Sequence, residues 1–533
     1  MSEKLLSLPQ TRRDFLMKVA VLGGTGLVMG TMKAWGMDMS SRAASPPMLS
    51  GSGNGKTVLI LGAGLAGMTA AYELGKVGYQ CTILEARDFA GGRCQTARAG
   101  FRLTELGGEE QQCRFDEGYY INHGPWRIPF NHQSTLHYTR EFGVPLEIFV
   151  NDNDASYVYF EGGDGSLASK PVRQFEIKAD LRGQVNELLA KSIHSNRLDL
   201  PLTEDDKKRL LDYLVNEGYL SASDFSYLGT GGRGYKVNPG AGTVPGPGEA
   251  SDPLELKDLL ASGMGHVYRS VHSFTQQATM FQPVGGMDRI ARAFEQRVGN
   301  RIRYGMEVGR IHQRGDQVVI SGKKLADNSD FELVADYCLC TIPLSVLRHI
   351  DTDFSPAFSD AIGQVAYEPT CKIGLQMKRR FWEEDHFIYG GHIRTNLKGI
   401  GNISLPSDHW QSGKGVLLGY YNFGANAAEV SAKSLEERTR FALEGGEKVF
   451  PGSYQASCES SFSVAWHRVK YNLGGWAEWN DQARATAYPT LLNAEGRVLL
   501  AGEHLSYLTG WMAGAIESSW QQMAKLHTMA QQA

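Results

Sequence analysis

Residues 57–93 read TVLILGAGLAGMTAAYELGKVGYQCTILEARDFAGGR, and this stretch decides the fold of the chain. Its first five residues are mostly apolar and predict a buried strand. A glycine turn and a helix over about residues 66–77 follow, and residues 81–84 predict a second strand. Strand, turn, helix and strand in this order predict the opening unit of a parallel α/β sheet.

The glycine turn has the spacing G-x-G-x-x-G, formed by Gly62, Gly64 and Gly67. These glycines permit a tight turn, a close approach of the backbone to a pyrophosphate, and close packing of helix on strand. The helix is expected to begin near Ala66, so its free N–H groups point toward the phosphates. Glu85 ends the second strand, where a carboxylate can accept hydrogen bonds from ribose hydroxyls. The unit therefore predicts a dinucleotide site, and Glu85 disfavours NADP because it would repel a 2′-phosphate.

A second glycine turn with a cation, Gly91-Gly92-Arg93, follows the acidic residue. Taken alone, these three residues would be interpreted as an ordinary solvated turn. After a dinucleotide unit they suit FAD, whose pyrophosphate and isoalloxazine ring extend beyond the first turn. The whole stretch resembles the flavin amine oxidase superfamily, which includes L-amino-acid, monoamine and polyamine oxidases.

The resemblance covers nearly all of the chain after residue 55 and implies an α/β flavoprotein of the two-dinucleotide-binding type. Its FAD-binding domain is expected to be discontinuous, with a mixed-sheet substrate domain and a helical lobe inserted between its parts. The expected segments are residues 55–115, 281–345 and 466–533 for the FAD domain, 116–175 and 346–465 for the substrate domain, and 176–280 for the helical lobe. Within the lobe, residues 229–253 are rich in glycine and proline and predict a long loop, whose role stays open.

The resemblance also implies contacts to the cofactor. Glu503 is similar to the acid that binds the ribityl hydroxyls of FAD, and Val308 matches a position whose backbone meets the adenine. Gly510 would let the N-terminus of the last helix reach the flavin. The residues expected to contact FAD are Gly62, Gly64, Ala66, Gly67, Glu85, Ala86, Arg87, Gly92, Arg93, Gly124, Pro125, Trp126, Arg127, Val308, Glu503, Gly510, Trp511 and Ala515.

Arg127 lies in the segment GPWRIP, residues 124–129. This segment is similar to the one in L-amino-acid oxidases whose arginine holds the substrate carboxylate. A planar guanidinium suits that task because it forms two charge-assisted hydrogen bonds at once. The alternative is a structural ion pair, for example with Glu117. Trp126 stands where the family often has a smaller side chain, which leaves the size of the pocket open.

Lys372 lies in the largely apolar stretch PTCKIGLQM, residues 369–377. A lysine is costly to bury unless it is paired or has a task, and solvation on the outward face of a strand is the alternative. In the family the matching lysine holds a water near flavin N5, so the resemblance implies a catalytic role. Trp511 and Tyr421 are implied as aromatic walls of the substrate site, with core packing as the alternative for both. Trp476 could form a further wall.

The composition excludes several other classes of protein. The chain has 533 residues, which suffices for two or three lobes. A hydrophobic content of 42% and a charged content of 21% are typical of a folded soluble protein, and a net charge of −4 gives no general affinity for nucleic acid. The seven cysteines lack metal-binding spacing, because the pair Cys338 and Cys340 alone makes no zinc site. No metal is expected.

Residues 11–18, TRRDFLMK, resemble the bacterial twin-arginine export signal. The glycine-bearing apolar run that follows, about residues 19–32, is too short for a convincing membrane span. Residues 1–54 are therefore expected to be an export signal and linker that send a periplasmic or secreted protein through the twin-arginine machinery. A basic, unstructured tail is the alternative.

The resemblance implies an FAD-dependent L-amino-acid oxidase, which converts an L-amino acid and oxygen to a 2-oxo acid, ammonia and hydrogen peroxide. Alternatives of the same fold are an amine or polyamine oxidase, an amino-acid dehydrogenase with a respiratory acceptor, and an amino-acid 2-monooxygenase. An inactive flavin-binding scaffold is a further alternative, against which the near-complete motifs argue. Selectivity for the side chain is expected in the helical lobe and loops, with Asp224, Phe225 and Gln276 as candidates. A homodimer is expected by analogy.

Overall fold

The structure is a computed structural model that describes residues 45–197, 201–269 and 274–532, so the predicted export signal lies outside the described residues. The strands are β1 Thr57–Leu61, β2 Gln80–Leu84, β3 Arg102–Thr104, β4 Glu110–Gln112, β5 Leu146–Val150, β6 Tyr157–Tyr159, β7 Pro171–Arg173, β8 Tyr235–Val237, β9 Glu249–Ala250, β10 Thr279–Pro283, β11 Ile302–Arg303, β12 Met306–Arg314, β13 Gln317–Lys324, β14 Asp330–Ala335, β15 Tyr337–Cys340, β16 Asp351–Thr352, β17 Ala366–Tyr367, β18 Thr370–Met377, β19 Gly391–Thr395, β20 Asn402–Leu405, β21 Gly415–Phe423, β22 Cys458–Ala465, β23 Ala477–Glu478 and β24 Val498–Leu500.

The α-helices are α1 Leu65–Lys76, α2 Gln133–Phe142, α3 Gln174–His194, α4 Glu204–Gly218, α5 Leu256–Ser262, α6 Asp288–Val298, α7 Leu344–Leu347, α8 Pro356–Gly363, α9 Phe381–Glu384, α10 Gly424–Ser431, α11 Leu435–Val449, α12 Tyr454–Ser457, α13 Asp481–Leu491 and α14 Met512–Gln532. None of the described helices is both long and apolar enough to span a membrane.

A five-stranded parallel sheet in the order β11-β2-β1-β15-β24 forms the centre of the molecule. Its strands come from the start, the middle and the end of the chain. Helices α1, α2, α6 and α14 cover one face, while α7, α8, α13 and a four-stranded sheet, β14-β13-β12-β16, cover the other. Burial on both faces explains why these strands are apolar without alternation.

The first glycine turn shows why the helix after it can lie so close to the strand. A Cβ atom on Gly67 would lie 2.1 Å from the carbonyl oxygen of Gly62, so only glycine fits at this position in α1. The predicted order of strand, turn, helix and strand is confirmed, with α1 and β2 each beginning one residue earlier than predicted.

A seven-stranded mixed sheet in the order β22-β18-β21-β20-β19-β6-β7 lies beside the central sheet. Helices α10, α11 and α12 pack on one face of it and form a separate core. All eight residues of β18 are buried, so this strand has no solvated face. Lys372 in β18 lies directly opposite Tyr421 in β21, which brings two predicted site residues together.

Residues 229–253 are mostly loop, as their composition predicts, but they also contain short regular pieces. These are a one-turn 3₁₀ helix, Gly231–Arg233, and a short hairpin of β8 and β9. Arg233 anchors this insert, because its guanidinium makes a buried two-bond pair with Asp180 of α3, at 2.7 and 2.9 Å. The composition indicates the turns but not this long-range pair.

The helical lobe continues after this insert with two short helices. Helix α5 ends at Ser262, where Gly263 adopts a left-handed conformation with φ of 67°. A 3₁₀ helix, Met264–Arg269, follows. Glycine makes this conformation at little cost and stops the α-helix there.

Candidate active site

A cavity of about 760 Å³ lies at the carboxyl ends of β1, β2 and β15. Its wall combines both glycine turns, the segment 124–127, the adjoining ends of β18 and β21 in the seven-stranded sheet, and the segment 509–515. Crevices at the carboxyl ends of parallel strands are the usual binding sites of α/β sheets. Enclosed cavities of this size are typical of cofactor and substrate sites.

The two glycine turns touch each other at the floor of this cavity. A Cβ atom on Gly92, whose φ is +60°, would lie 3.1 Å from the Cα of Gly64. The N-terminus of α1 opens directly behind this contact, with Gly64 as its first flanking residue. The turns therefore present bare backbone and free N–H groups, which fits the pyrophosphate of a dinucleotide.

Glu85 is buried at the end of β2 and holds the first glycine turn in place. Its Oε2 accepts a hydrogen bond from the backbone of Ala63 at 2.8 Å, and its Oε1 accepts from the side chain of Arg87 at 3.0 Å. This locking role was not evident from the sequence, which indicated only a ribose contact. Ala86 and Arg87, the two residues that follow Glu85 and were also predicted to contact FAD, line the cavity with it.

Arg93 and Glu503, predicted separately as cofactor contacts, form an ion pair. Nη1 of Arg93 lies 2.8 Å from Oε1 of Glu503 and donates to the carbonyl of Gly475 at 2.7 Å. Glu503 also accepts from the backbone N–H of Gly510 at 3.0 Å. The second glycine turn and the C-terminal segment are thus joined through one carboxylate.

Residues 466–475 form part of the wall that the sequence analysis missed. Lys470 and Tyr471 line the cavity, and both reach Glu307 of β12, at 2.7 and 3.2 Å. These contacts join the C-terminal part of the chain to the strand that carries Val308. No local pattern distinguishes this segment, so a signal for it could come only from the three-dimensional structure.

Arg127 is a largely buried cation in the wall of the cavity. Its Nη2 donates to Oε1 of Gln276 at 2.8 Å, and its Nε has no hydrogen-bond partner in the described part of the chain. The predicted alternative, an ion pair with Glu117, is absent, and no other carboxylate of the described residues pairs with Arg127. Burial lowers the pKa of Arg127 to about 10, which still leaves it charged at neutral pH.

Lys372 lies behind the wall rather than in it. Its Nζ donates to the carbonyl oxygens of Gly124 and, at 3.4 Å, Asn122. The side chain is 1% exposed, so the solvated alternative is wrong. Burial, helped by the charge of Arg127, lowers the pKa of Lys372 well below its usual value. The amine is thus a buried hydrogen-bond donor beside the cavity, and the water-holding role stays a prediction.

Aromatic side chains surround the two basic groups. Nζ of Lys372 lies 4.1 Å from the ring centre of Tyr421 and 5.3 Å from that of Trp126. The guanidinium of Arg127 lies 5.9 Å from the ring centre of Trp511. Burial raises the pKa of Tyr421 to about 12, so its hydroxyl is protonated at neutral pH. Electron-rich ring faces, which attract a positive charge, thus lie beside both basic groups.

The structure brings together most residues that were expected to contact FAD. All of them line the cavity except Gly67, which packs α1 on β1 instead. Trp476 lines it as well. Asp224 and Phe225 do not, because they belong to the helical lobe, where Asp224 is exposed and Phe225 packs on His194. Gln276 does not line it either, and the part of these three residues in substrate selectivity stays a prediction.

His504, for which the sequence offers no role, is 1% exposed, and neither ring nitrogen has a partner in the described residues. Burial lowers its pKa to about 3, so the ring is neutral. Within the described residues, no group of three or more His, Cys, Asp or Glu side chains is arranged to hold a metal ion.

A family model described as flavin-containing amine oxidoreductase matches residues 65–523. The chain is 28% identical to the Bacillus subtilis (strain 168) protein YobN, a provisionally assigned L-amino-acid oxidase, over 88% of this chain and 94% of that protein. It is 27% identical to the L-amino-acid oxidase of Protobothrops flavoviridis, over 87% of each chain.

Solved structures of two amine oxidases share the fold. The cyclohexylamine oxidase from Brevibacterium oxydans IH-35A superposes with a TM-score of 0.57 at 16% identity, over 89% of this chain and 99% of that chain. Putrescine oxidase with bound putrescine superposes with a TM-score of 0.58 at 17% identity, over 88% and 98%. The α/β architecture, with its discontinuous parallel sheet, is thus that of the amine oxidases.

Proposed function

The chain belongs to the flavin-containing amine oxidoreductases and uses FAD, and on this premise we propose that it is an L-amino-acid oxidase. The observation that carries the proposal is Arg127, a buried cation in the cavity wall with no carboxylate partner among the described residues. Burial of an unbalanced charge is unfavourable unless a ligand of opposite charge completes the site. An amino acid brings such a charge in its carboxylate, whereas a simple amine does not.

The guanidinium of Arg127 would receive the substrate carboxylate and fix one end of the substrate. Arginine binds carboxylates with two parallel charge-assisted hydrogen bonds, so it sets orientation as well as affinity. Trp511 lies beside the guanidinium, and Tyr421 lies beside Lys372 and near enough to Arg127 to affect its pKa. These rings limit the directions in which the α-amine and the side chain can extend.

Bound FAD would supply the redox chemistry, namely acceptance of a hydride from the substrate carbon and reoxidation by oxygen. The protein contributes position and electrostatics. Tyr421 and Arg127 both hold their protons at neutral pH, and Lys372 is shielded behind the wall. Arg127 and Tyr421 therefore do not accept a proton from the α-amine at neutral pH, and an amine that enters already neutral needs no base.

Lys372 supports this arrangement from behind. Its amine donates to the carbonyl oxygen of Gly124, at the start of the segment that carries Trp126 and Arg127. This hydrogen bond ties β18 to the backbone of the segment that would bind the carboxylate. We therefore assign Lys372 the task of positioning the segment 124–127.

Replacement of Arg127 by methionine tests the proposal, because methionine keeps an unbranched apolar stem and removes the charged guanidinium. With L-phenylalanine, KM should rise by the equivalent of about 2–5 kcal/mol, the effect of losing a buried hydrogen-bonded charge pair. With 2-phenylethylamine, which lacks the carboxylate, any KM should stay unchanged. Arg102→Met, which removes an exposed arginine paired with Glu110, is the matched control.

The same assay separates the alternatives. Preferred turnover of 2-phenylethylamine, insensitive to the change at Arg127, would identify an amine oxidase instead. Turnover only with an artificial electron acceptor would identify a dehydrogenase, and an amide product without hydrogen peroxide would identify a 2-monooxygenase.

We further propose that residues 1–54 direct export by the twin-arginine route and that the enzyme is a homodimer. Two adjacent arginines, Arg12 and Arg13, followed by an apolar run support the first proposal. Cell fractionation and sedimentation analysis test the two proposals separately.

A further inference from the structure

Gln276 is the hydrogen-bond partner of the proposed carboxylate anchor. Its Oε1 accepts from Nη2 of Arg127 at 2.8 Å. It does not itself line the cavity, so it acts on the guanidinium from behind. The cavity-facing cation is therefore held in place by a neutral amide, although a carboxylate would have bound it more strongly.

Contacts of the surrounding backbone hold the segment of Gln276 against the segment of Arg127. Ile128, next to Arg127, exchanges two backbone hydrogen bonds with Phe281 of β10, at 2.8 and 3.0 Å. The rings of Phe130 and Phe274 meet edge to face, with centres 5.3 Å apart, on either side of the pair. The amide thus reaches the guanidinium from a segment that is tied to the arginine's own segment at two points.

The charge balance near Arg127 makes the neutrality of Gln276 significant. Arg394 contributes to the lowered pKa of Arg127, and Arg394 itself is paired with Asp152 at 3.1 Å. Of these two guanidinium groups, Arg127 is the one without a carboxylate partner among the described residues. A glutamate at position 276 would have cancelled its charge.

The geometry of the guanidinium limits how a carboxylate can bind. One bidentate edge consists of Nε and Nη2, and the other consists of Nη1 and Nη2, so Nη2 belongs to both. Nη2 carries two hydrogens, and Gln276 accepts one of them. Nε has no partner in the described part of the chain. One edge therefore remains free for a ligand while the amide prevents the guanidinium from rotating.

We propose that Gln276 is a positioning residue that orients the guanidinium of Arg127 and, being uncharged, leaves its charge available to the substrate carboxylate. This inference rests on the proposed function, because it assumes that Arg127 binds a carboxylate. Because Gln276 is neutral, Arg127 can pair with an acidic ligand and is not already paired with an acid of the protein.

The test uses two variants of the complete flavoenzyme. Gln276→Glu replaces the side-chain amide by a carboxylate of the same shape and so adds a negative charge beside Arg127. Gln276→Ala removes the hydrogen bond and leaves the positive charge of Arg127 in place. Gln277→Glu is the matched control, because the neighbouring side chain bonds the carbonyl of Phe274 and not Arg127. Flavin absorbance and thermal unfolding verify that each variant is folded and loaded.

Two readouts distinguish positioning from a structural role. The first is KM and kcat for L-phenylalanine and for 2-phenylethylamine. The second is the dissociation constant of benzoate, measured through the change in flavin absorbance, with the uncharged benzamide as its neutral counterpart. Benzoate binding needs no turnover, so it reports the charge of the site directly.

Gln276→Glu should weaken benzoate binding and raise KM for L-phenylalanine on the order of 100-fold, because the new ion pair has to be broken first. The kcat for L-phenylalanine, benzamide binding and KM for the amine should stay within about twofold. Gln276→Ala should raise KM for L-phenylalanine by about threefold to tenfold, the effect of one lost hydrogen bond. Gln277→Glu should behave like the native enzyme.

Unchanged benzoate binding in Gln276→Glu would overturn the inference, and so would an equal rise of KM for amino acid and amine. If Arg127→Met still raises KM for L-phenylalanine, the carboxylate anchor stands and only the role of Gln276 fails. If Arg127→Met has no effect either, the proposed function itself fails.

Discussion

The two ends of the cavity treat charge in opposite ways. Beside the glycine turns, buried charges are paired at hydrogen-bond distance, as in Glu85 with Arg87 at 3.0 Å and Arg93 with Glu503 at 2.8 Å. At the other end, Arg127 is held by a neutral amide and two aromatic rings lie near the buried amine of Lys372.

This difference corresponds to what each end has to bind. A cofactor that stays bound needs a rigid site, and ion pairs between distant parts of the chain provide this rigidity without leaving an unpaired charge. A substrate that enters and leaves at each turnover needs a charge that the protein has not already neutralised. The unbalanced cation is unfavourable in the free enzyme, and this makes binding of an anion more favourable.

The largest expected effect comes from removing the ion pair of Arg93 and Glu503 beside the glycine turns. Replacing Glu503 by glutamine keeps the shape of the side chain but leaves Arg93 without its counter-charge. We expect a loss of about 2 kcal/mol in the free energy of unfolding, less than for a fully buried pair because Arg93 is 21% exposed. Chemical denaturation followed by flavin fluorescence measures it.

Its matched control is Glu332→Gln, since Glu332 pairs with Arg314 on the surface at 4.0 Å. No measurable change is expected there, because exposed pairs contribute little. Equal stability of the two variants would mean that the ion pair of Arg93 does not stabilise the frame.

An intermediate effect concerns the unbalanced end and depends on pH. The pKa of Lys372 lies well below its usual value of about 10.4, so between these two pKa values the unfolded chain binds a proton that the folded protein does not. The lysine therefore lowers stability progressively as the pH falls through this window. Lys372→Met removes that penalty, so its stability relative to the native protein should improve by about 1.4 kcal/mol for each pH unit within the window.

Denaturation of the variant and the native protein at pH 10 and pH 9 gives this slope over one unit, since other titrating groups cancel in the difference. Lys398→Met, which alters an exposed lysine, should show none. Parallel stability curves for Lys372→Met would show that the amine is charged in the folded protein.

The smallest expected effect concerns the aromatic ring of Trp511 near Arg127. Trp511 faces the guanidinium at 5.9 Å, and a cation–π contact contributes about 0.5–1 kcal/mol. Trp511→Phe should therefore change KM for L-phenylalanine by about twofold to fivefold, with kcat less affected. Trp410→Phe alters an exposed tryptophan and should be neutral in the same steady-state assay. A tenfold fall in kcat would assign Trp511 a part in the reaction itself.

The parts of the fold that the sequence predicted well depend on neighbours along the chain. The unit from β1 to β2 is one such part, because strand periodicity, turn glycines and helix length are all visible within 30 residues. The hairpin at residues 229–253 was missed because Arg233 finds Asp180 through tertiary packing. Composition indicates where a chain turns, but it does not indicate which distant side chain will anchor the turn.

The same division holds in the candidate site. Arg127 and Lys372 were recognisable because each is a charge in a segment with a distinctive pattern or neighbourhood. Their partners were not, since Gln276 and the carbonyl of Gly124 meet them only after three sheets have assembled. Lys470 and Tyr471 were missed for the same reason, because no spacing rule connects them with Glu307.

The sequence by itself determined the dinucleotide unit, the resemblance to flavin amine oxidases and the chemical type of each candidate residue, because these depend on residue identity and short-range spacing. Tertiary structure alone decided which charges are balanced. It paired Arg93 with Glu503 across 410 positions and left Arg127 beside a neutral glutamine. Whether a buried charge is balanced depends on the groups within a few ångströms of it, and those distances exist only in the folded chain.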